Sequence, residues 1–115
     1  MSLTIHTERT NTVRVLCCSG RISYGRDIEA LTNLITELLN QHKIVLLDLE
    51  GVTAIDSAGV GALVVLYCWA QGSQGRIAFC CPSRRVSDLL ELFKLQDLLQ
   101  IHETREGAIS VLLAS

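Results

Sequence analysis

The sequence has little proline and few aromatic residues. Its 115 residues include one proline, and 4% are aromatic, whereas 49% are hydrophobic and 19% are charged. This composition excludes a disordered or proline-rich chain, because nearly half of the residues can contribute to a buried core. The length matches one domain, 1–115, which is large enough to fold without disulfides.

A membrane span and an export signal are also missing. The longest uncharged apolar run covers residues 58–70, well short of the roughly 20 residues that a spanning helix needs. The first twelve residues are polar and lack the apolar stretch of a secretory signal. We therefore expect a cytoplasmic protein without direct membrane insertion.

Positive charge is scarce. Ten basic residues face twelve acidic ones, for a net charge of -2, and the densest basic spot is the pair Arg84-Arg85. Binding to a phosphate backbone requires a basic patch far larger than this pair. We expect no nucleic-acid partner.

The cysteines predict free thiols. Their count is odd and no export signal is visible, which favours a reducing compartment. Adjacent residues of a strand point to opposite faces, so neither adjacent pair is expected to chelate a metal. The histidines are far apart and are interpreted as surface or loop residues, so the sequence predicts no metal site and no cofactor. These residues are Cys17, Cys18, Cys68, Cys80, Cys81, His6, His42 and His102.

Hydrophobic periodicity predicts strands that alternate with helices. Strands 4–7 and 13–19 form a hairpin, with Gly20 ending the second strand. Asp27 is expected to cap a helix that reaches about residue 40. Further strands are predicted at 44–49, 76–81 and 99–102, and further helices at 57–70, after Ser83 and after Thr104.

This alternation implies parallel strands joined by right-handed crossovers. The predicted fold class is α/β, as a single small domain. Its sheet would be mostly parallel, with about five strands, an antiparallel first strand and about four helices. Sequential strand order would place the crossover helices on one face of the sheet.

The most informative segment runs from residue 44 to residue 70. A strand leads through a turn at Glu50-Gly51 to Asp56-Ser57, directly before a long apolar helix. A serine hydroxyl there lies beside free N–H groups and the positive end of the helix dipole, which tolerate a phosphate dianion. The position suits a phosphorylation switch, and helix capping by Ser57 is the alternative. The helix is apolar nearly all round, which indicates burial, with an interface around Trp69 as a second possibility.

No catalytic set can be assembled from these residues. A hydrolase nucleophile elbow requires glycine two residues before the serine, where this chain has Ile55. Gly59 and Gly61 resemble the start of a dinucleotide-binding loop, but Val64 replaces its third glycine. Asp48 is interpreted as a hydrogen-bonding group rather than a catalytic acid or metal ligand. We expect no enzyme activity.

Two motifs carry the most specific signal, Leu-Asp-Leu at 47–49 and Ile-Asp-Ser-Ala-Gly-Val-Gly at 55–61. They resemble those of the STAS domain, and most closely those of free-standing bacterial anti-sigma factor antagonists. Gly20, Gly75 and a helix carrying Val86, Leu90 and Phe93 support the match. The resemblance extends from the opening hairpin to the last helix.

The resemblance implies a partner-switching protein. Such an antagonist binds an anti-sigma factor that is also an ATP-using serine kinase, and thereby frees a sigma factor. The kinase phosphorylates the antagonist, which causes release, and a metal-dependent serine phosphatase removes the phosphate. By position the phosphoacceptor would be Ser57. The partner-binding residues would be Ser23, Tyr24, Asp56, Ser57, Ala58, Gly59, Val60 and Gly61.

The sequence also departs from the family pattern. Ser23 and Tyr24 lie in a loop where many antagonists carry an aspartate, and Ala58 replaces a common second serine. These departures keep an alternative open, a non-switching STAS subunit of a lipid-transport ATPase or of a signalling scaffold. A third possibility is the excised tail of an anion transporter.

Overall fold

The computed structural model describes residues 2–114 as one mixed sheet with helices on both faces. The strands are β1 (Thr4–Thr10), β2 (Val13–Ile22), β3 (Ile44–Ile55) and β4 (Arg76–Cys80). The helices are α1 (Arg26–Asn40), α2 (Ser57–Gln71), α3 (Arg84–Leu92), α4 (Gln96–Leu99) and α5 (Arg105–Ala114). Strand order is β1-β2-β3-β4. Only the β1–β2 pair is antiparallel among these strands, which confirms the predicted α/β class.

Two apolar cores lie on opposite faces of the sheet. The larger core packs α1, α2 and α3 against one face, as sequential right-handed crossovers require. The smaller core packs Ala108 and Leu112 of α5 against the other face. Within residues 2–114, no helix combines the length and apolar character that crossing a membrane demands.

Local sequence accounts for most helix boundaries. The Ser83 hydroxyl accepts the Val86 N–H at 3.4 Å, and the Thr104 hydroxyl accepts the Gly107 N–H at 3.0 Å. Both predicted caps are confirmed. The prediction for Asp27 is wrong, because α1 begins after Gly25 and Asp27 lies in its first turn. The Asp27 carboxylate instead accepts the Leu3 N–H at 3.1 Å.

Gly20 was predicted to end a strand and Gly51 to lie in a turn, and both predictions are wrong, because each glycine lies inside a strand. β2 continues through Gly20 to Ile22, and β3 continues through Gly51 to Ile55. The β2–β3 register shifts twice, between Cys17 and Ser19 and between Gly20 and Arg21. Gly20 has a φ of +98°, and a Cβ on Gly51 would lie 2.7 Å from a β2 carbonyl oxygen. These glycines therefore permit β-bulges rather than turns.

The predicted strand at 99–102 is reduced to one bridge between His102 and Cys80. Leu99 ends α4, and Gln100 takes a left-handed conformation with a φ of 54°. Within residues 2–114 the sheet thus has four strands rather than the predicted five. The chain also contains a short helix, α4, that was not predicted. The left-handed Gln100 ends α4, and periodicity does not encode this conformation.

The two adjacent cysteine pairs behave differently. Cys18 is buried in the larger core, and Cys17 packs against the smaller one, so their side chains point to opposite faces as predicted. The prediction that the side chains of Cys80 and Cys81 point to opposite faces is wrong, because β4 ends at Cys80 and Cys81 has a φ of 58°. Their sulfur atoms lie 3.1 Å apart.

Asp48 anchors the last helix to the sheet. Its side chain is buried, its Oδ1 accepts the Glu50 N–H at 3.0 Å, and its Oδ2 accepts from Arg105 at 2.8 Å. Arg105 also donates to Glu8 of β1 at 3.1 Å. The predicted hydrogen-bonding role of Asp48 is confirmed. Sequence reasoning missed Arg105, because its partner lies 57 residues away.

Removing the Arg105 guanidinium should destabilise the fold. In Arg105→Ala the Asp48 carboxylate stays buried without its partner, which should lower the free energy of unfolding by about 1–3 kcal/mol. Arg84→Ala is the control, because the one ion pair that Arg84 forms within residues 2–114 is exposed, with Asp88 at 4.0 Å, and its loss should cost less than about 0.5 kcal/mol. Urea unfolding measures both, and equal losses would contradict the anchoring role.

Candidate functional site at the junction of β3 and α2

Asp56 organises the junction between β3 and α2. It is the N-cap residue of α2, and its Oδ1 accepts the Gly59 N–H at 2.8 Å. Its Oδ2 accepts the Tyr24 N–H at 3.0 Å, and its own N–H donates to the Ile22 carbonyl at 3.3 Å. One residue thus caps α2 and holds the loop that follows β2.

The Asp56 carboxylate is stabilised in its charged form. The Tyr24 N–H contributes most to lowering the pKa of Asp56, burial opposes this effect, and the Gly59 N–H lowers the pKa further. Hydrogen bonds to an ionised carboxylate favour ionisation, as does the positive end of the α2 dipole. The junction therefore carries a fixed negative charge at neutral pH.

Ser57 is the first residue of α2, and it is exposed. Among residues 2–114 no partner holds its hydroxyl in a hydrogen bond, since the cap is made by Asp56. The alternative that Ser57 serves as a helix cap is therefore wrong. Its hydroxyl is free to react at a helix end where the backbone favours negative charge.

Shallow grooves border this serine on two sides. One has a volume of about 380 Å³ and lies between Ala58, Tyr24 and the start of α1. The other has a volume of about 290 Å³ and lies between Ile55 and α3, with Arg85 and Leu92 at its wall. The junction thus projects between two depressions that can receive side chains of a partner.

The predicted partner-binding residues divide into two groups. Tyr24 is 87% exposed, Gly61 is exposed, and Ser23 and Ala58 are half-buried beside Ser57. Gly59 and Val60 instead face the core. A Cβ on Gly59 would overlap the Ile22 carbonyl and lie 2.7 Å from Ile55 Cγ1. Gly59 and Val60 therefore offer little side-chain surface to a partner, and the close approach that Gly59 permits is that of the β2 backbone.

The outward face of α2 continues from Ser57 as an apolar stripe. Gly61, Val65 and Trp69 follow at intervals of four residues, which places them one above the other on the helix. Val65 is 58% exposed and Trp69 is 48% exposed. These exposed apolar side chains make this face of α2 a candidate interaction surface.

Two substitutions of Asp56 should distinguish its hydrogen bond to the Gly59 N–H, which caps α2, from its hydrogen bond to the Tyr24 N–H, which holds the loop after β2. Asp56→Ala removes the cap and should cost about 0.5–2 kcal/mol of unfolding free energy. Asp56→Asn keeps one acceptor oxygen and should recover the helix cap but not the bond to Tyr24. NMR amide shifts of Gly59 and Tyr24 in both variants would report each bond. Unchanged Tyr24 shifts in Asp56→Ala would contradict the assignment.

The loss of unfolding free energy caused by Asp56→Ala should depend on pH. Because the folded pKa of Asp56 is lowered, the stability that it adds is fully present above the unfolded value of about 3.9. That stability is lost as the pH falls through the lower folded value. The difference in unfolding free energy between the wild type and Asp56→Ala should therefore shrink below about pH 4.

Gly59 should reject a methyl group that Gly61 accepts. In Gly59→Ala the new Cβ meets the Ile22 carbonyl, and overpacking of this kind costs about 1–3 kcal/mol. Gly61→Ala is the matched control, because a Cβ there meets nothing within 4 Å and alanine favours a helix by about 1 kcal/mol. Thermal unfolding should show opposite shifts, and a stable Gly59→Ala would disprove the tight contact.

The chain was compared with protein families and with solved structures. The family model for the STAS domain matches residues 4–108. The chain is similar to an anti-sigma factor antagonist from Mycobacterium paratuberculosis, with a TM-score of 0.82, 20% identity, and coverage of 96% of this chain and 94% of that chain. It is also similar to the anti-sigma factor antagonist SpoIIAA in its unphosphorylated form, with a TM-score of 0.78, 20% identity, and coverage of 97% and 98%.

A phosphorylated relative has the same fold. The Bacillus cell fate determinant SpoIIAA in its phosphorylated form matches with a TM-score of 0.70, 20% identity, and coverage of 93% of this chain and 97% of that chain. At these identities the structural likeness establishes the fold. The family match spans nearly all of the sequence, and the chain belongs to the STAS domain family.

Proposed function

We propose that this chain is an anti-sigma factor antagonist controlled by phosphorylation of Ser57. In its unphosphorylated form it binds an anti-sigma factor that is also a serine kinase, and phosphorylation releases that partner. The observation that supports this proposal is the exposed Ser57 hydroxyl at the start of a helix that Asp56 caps. A phosphate can be added there without breaking a capping bond.

The charge of the phosphate explains release. A phosphoserine adds about -1.5 to -2 charges beside the ionised Asp56 and at one end of the apolar stripe Gly61, Val65 and Trp69. A partner that covers this stripe would have to bury or displace the phosphate. Each loss of about 1.4 kcal/mol in binding free energy weakens the complex tenfold. The scaffold itself stays folded, because the helix end tolerates the anion.

The chain acts as a binding module in this proposal, and the partner supplies the chemistry. Ser57 Oγ attacks the γ-phosphorus of ATP held by the kinase, the hydroxyl proton passes to a base of the kinase, and ADP leaves. A serine phosphatase later hydrolyses the phosphoserine and restores the hydroxyl. The antagonist contributes the acceptor oxygen and the surface that docks.

Phosphorylation can be tested with the cognate kinase and ATP. We expect one phosphate per chain, located at Ser57 by mass spectrometry, and none in Ser57→Ala. Ser57→Asp should weaken the complex at least about tenfold, which corresponds to 1.4 kcal/mol. Ser110→Asp is the matched control, since Ser110 is exposed on α5 against the opposite face of the sheet and should leave binding unchanged.

Two results would contradict the switch. One is phosphate incorporation that persists in Ser57→Ala. The other is a Ser57→Asp variant that binds the kinase as tightly as the wild type. Isothermal titration of each variant, together with circular dichroism to confirm folding, distinguishes lost binding from lost structure.

A second candidate function is a non-switching subunit of a lipid-transport ATPase or of a signalling scaffold. The exposure of Val65 and Trp69 supports it, because an apolar stripe suits a stable interface as well as a switched one. In this case Trp69→Ala should weaken capture of the partner, whereas Ser57→Asp should not. For a switched interface, both substitutions should weaken it.

A further inference from the structure

Cys80 and Cys81 form a thiol pair where β4 ends. The left-handed backbone of Cys81, with a φ of 58°, turns its side chain towards that of Cys80. The Cys81 thiol donates to Cys80 Sγ across 3.1 Å. Two adjacent residues of a regular strand would hold their sulfurs on opposite faces of the sheet. This backbone conformation therefore converts two separate thiols into a pair that can hold one atom between them.

Asp48 brings a third donor to the pair. It is the cross-strand partner of Cys80 in the β3–β4 ladder, so both side chains lie on the same face of the sheet. One donor atom each from Asp48, Cys80 and Cys81 all lie within 4.8 Å of one another. Asp48 and Cys81 also line an open cavity of about 600 Å³ beside Glu103 and Thr104. The cluster is thus reachable from solvent.

The charges around the cluster fit a divalent cation. The Asp48 carboxylate pairs with the Arg105 guanidinium at 2.8 Å, and an ordinary thiol is protonated at neutral pH, so the free cluster carries no net charge. A divalent ion that displaces two thiol protons adds two positive and two negative charges. The metal-bound cluster is therefore neutral as well, which avoids the cost of burying a net charge.

We propose that Cys80, Cys81 and Asp48 bind one thiophilic divalent cation, with Zn²⁺ as the physiological ion. The ion replaces the two thiol protons, forms two metal–sulfur bonds and releases both protons to solvent. The Asp48 oxygen supplies the third bond, and a water from the cavity takes the fourth position of a tetrahedron. Mg²⁺ and Ca²⁺ prefer oxygen ligands and should not compete.

The geometry requires only a small adjustment. A tetrahedral ion with metal–sulfur bonds of about 2.3 Å holds its two sulfurs about 3.8 Å apart. The thiols must therefore separate by about 0.7 Å, and rotation of the half-buried Cys81 side chain can supply this movement. Binding would connect the end of β4 and the segment that leads into α3 to the middle of β3. The ion should consequently raise the thermal stability of the folded chain.

Zn²⁺ binding can be measured on the reduced full-length chain in competition with a chromogenic chelator. We expect one Zn²⁺ per chain, two protons released per ion in a weakly buffered solution, and a higher melting temperature. Cd²⁺ should give an ultraviolet thiolate-to-metal charge-transfer band. Cys81→Ala should lose stoichiometric binding, the stability increase and the band. Cys68→Ala is the matched control, because Cys68 is an exposed thiol on α2, and should retain all three.

Cys81→Gly guards against a folding defect, since glycine accepts a positive φ without strain and also removes the thiol. The proposal is overturned if reduced wild-type protein binds no Zn²⁺, if Cys81→Gly binds it with unchanged affinity, or if Cys68→Ala abolishes binding. The test does not depend on Ser57, so Ser57→Ala should bind Zn²⁺ as the wild type does. Failure of the kinase experiment would leave this result unaffected.

Discussion

The two hydrogen bonds accepted by the Asp56 carboxylate determine how the rest of the junction is arranged. One oxygen closes the first turn of α2 and the other fixes the loop after β2. Because both oxygens are used, the carboxylate remains charged and the neighbouring serine is released from capping. Ser57 thus supplies the exposed hydroxyl, and the adjacent Asp56 makes the hydrogen bonds that hold the junction in place.

The bulged, extended β3 separates this junction from the other polar cluster of the domain. β3 is paired to β4 only as far as Asp48, and it then continues with β2 alone to Ile55. The Cys80–Cys81 pair therefore lies at the end of the short strand, whereas Ser57 lies beyond the end of the long one. Chemistry at either place can change without disturbing the packing that supports the other.

Sequence patterns predicted the elements whose signals are local. Leu31, Ile35 and Leu39 share one face of α1, and the Ser83 hydroxyl accepts the Val86 N–H at the start of α3, so periodicity and capping residues are sufficient to predict these helices. Gly20 and Gly51 were misassigned because a bulge depends on the neighbouring strand, which a single segment does not contain. Ser57 and Asp56 are both good caps by residue type, and only the fold decides which of them accepts the Gly59 N–H.

Long-range contacts explain the remaining gaps, and they also constrain the mechanism. No local pattern pairs Arg105 with Asp48, yet this contact neutralises the buried acid beside the thiols. The Asp56 carboxylate at the junction of β3 and α2 is not neutralised in this way, since no cation among residues 2–114 forms a salt bridge with it. The α2 dipole supplies only about half a positive charge, which is less than a phosphate carries. A phosphorylated junction would thus keep a net negative charge facing outward, next to the apolar stripe. Such a charge costs little in water, and it costs several kcal/mol when a partner excludes water from it.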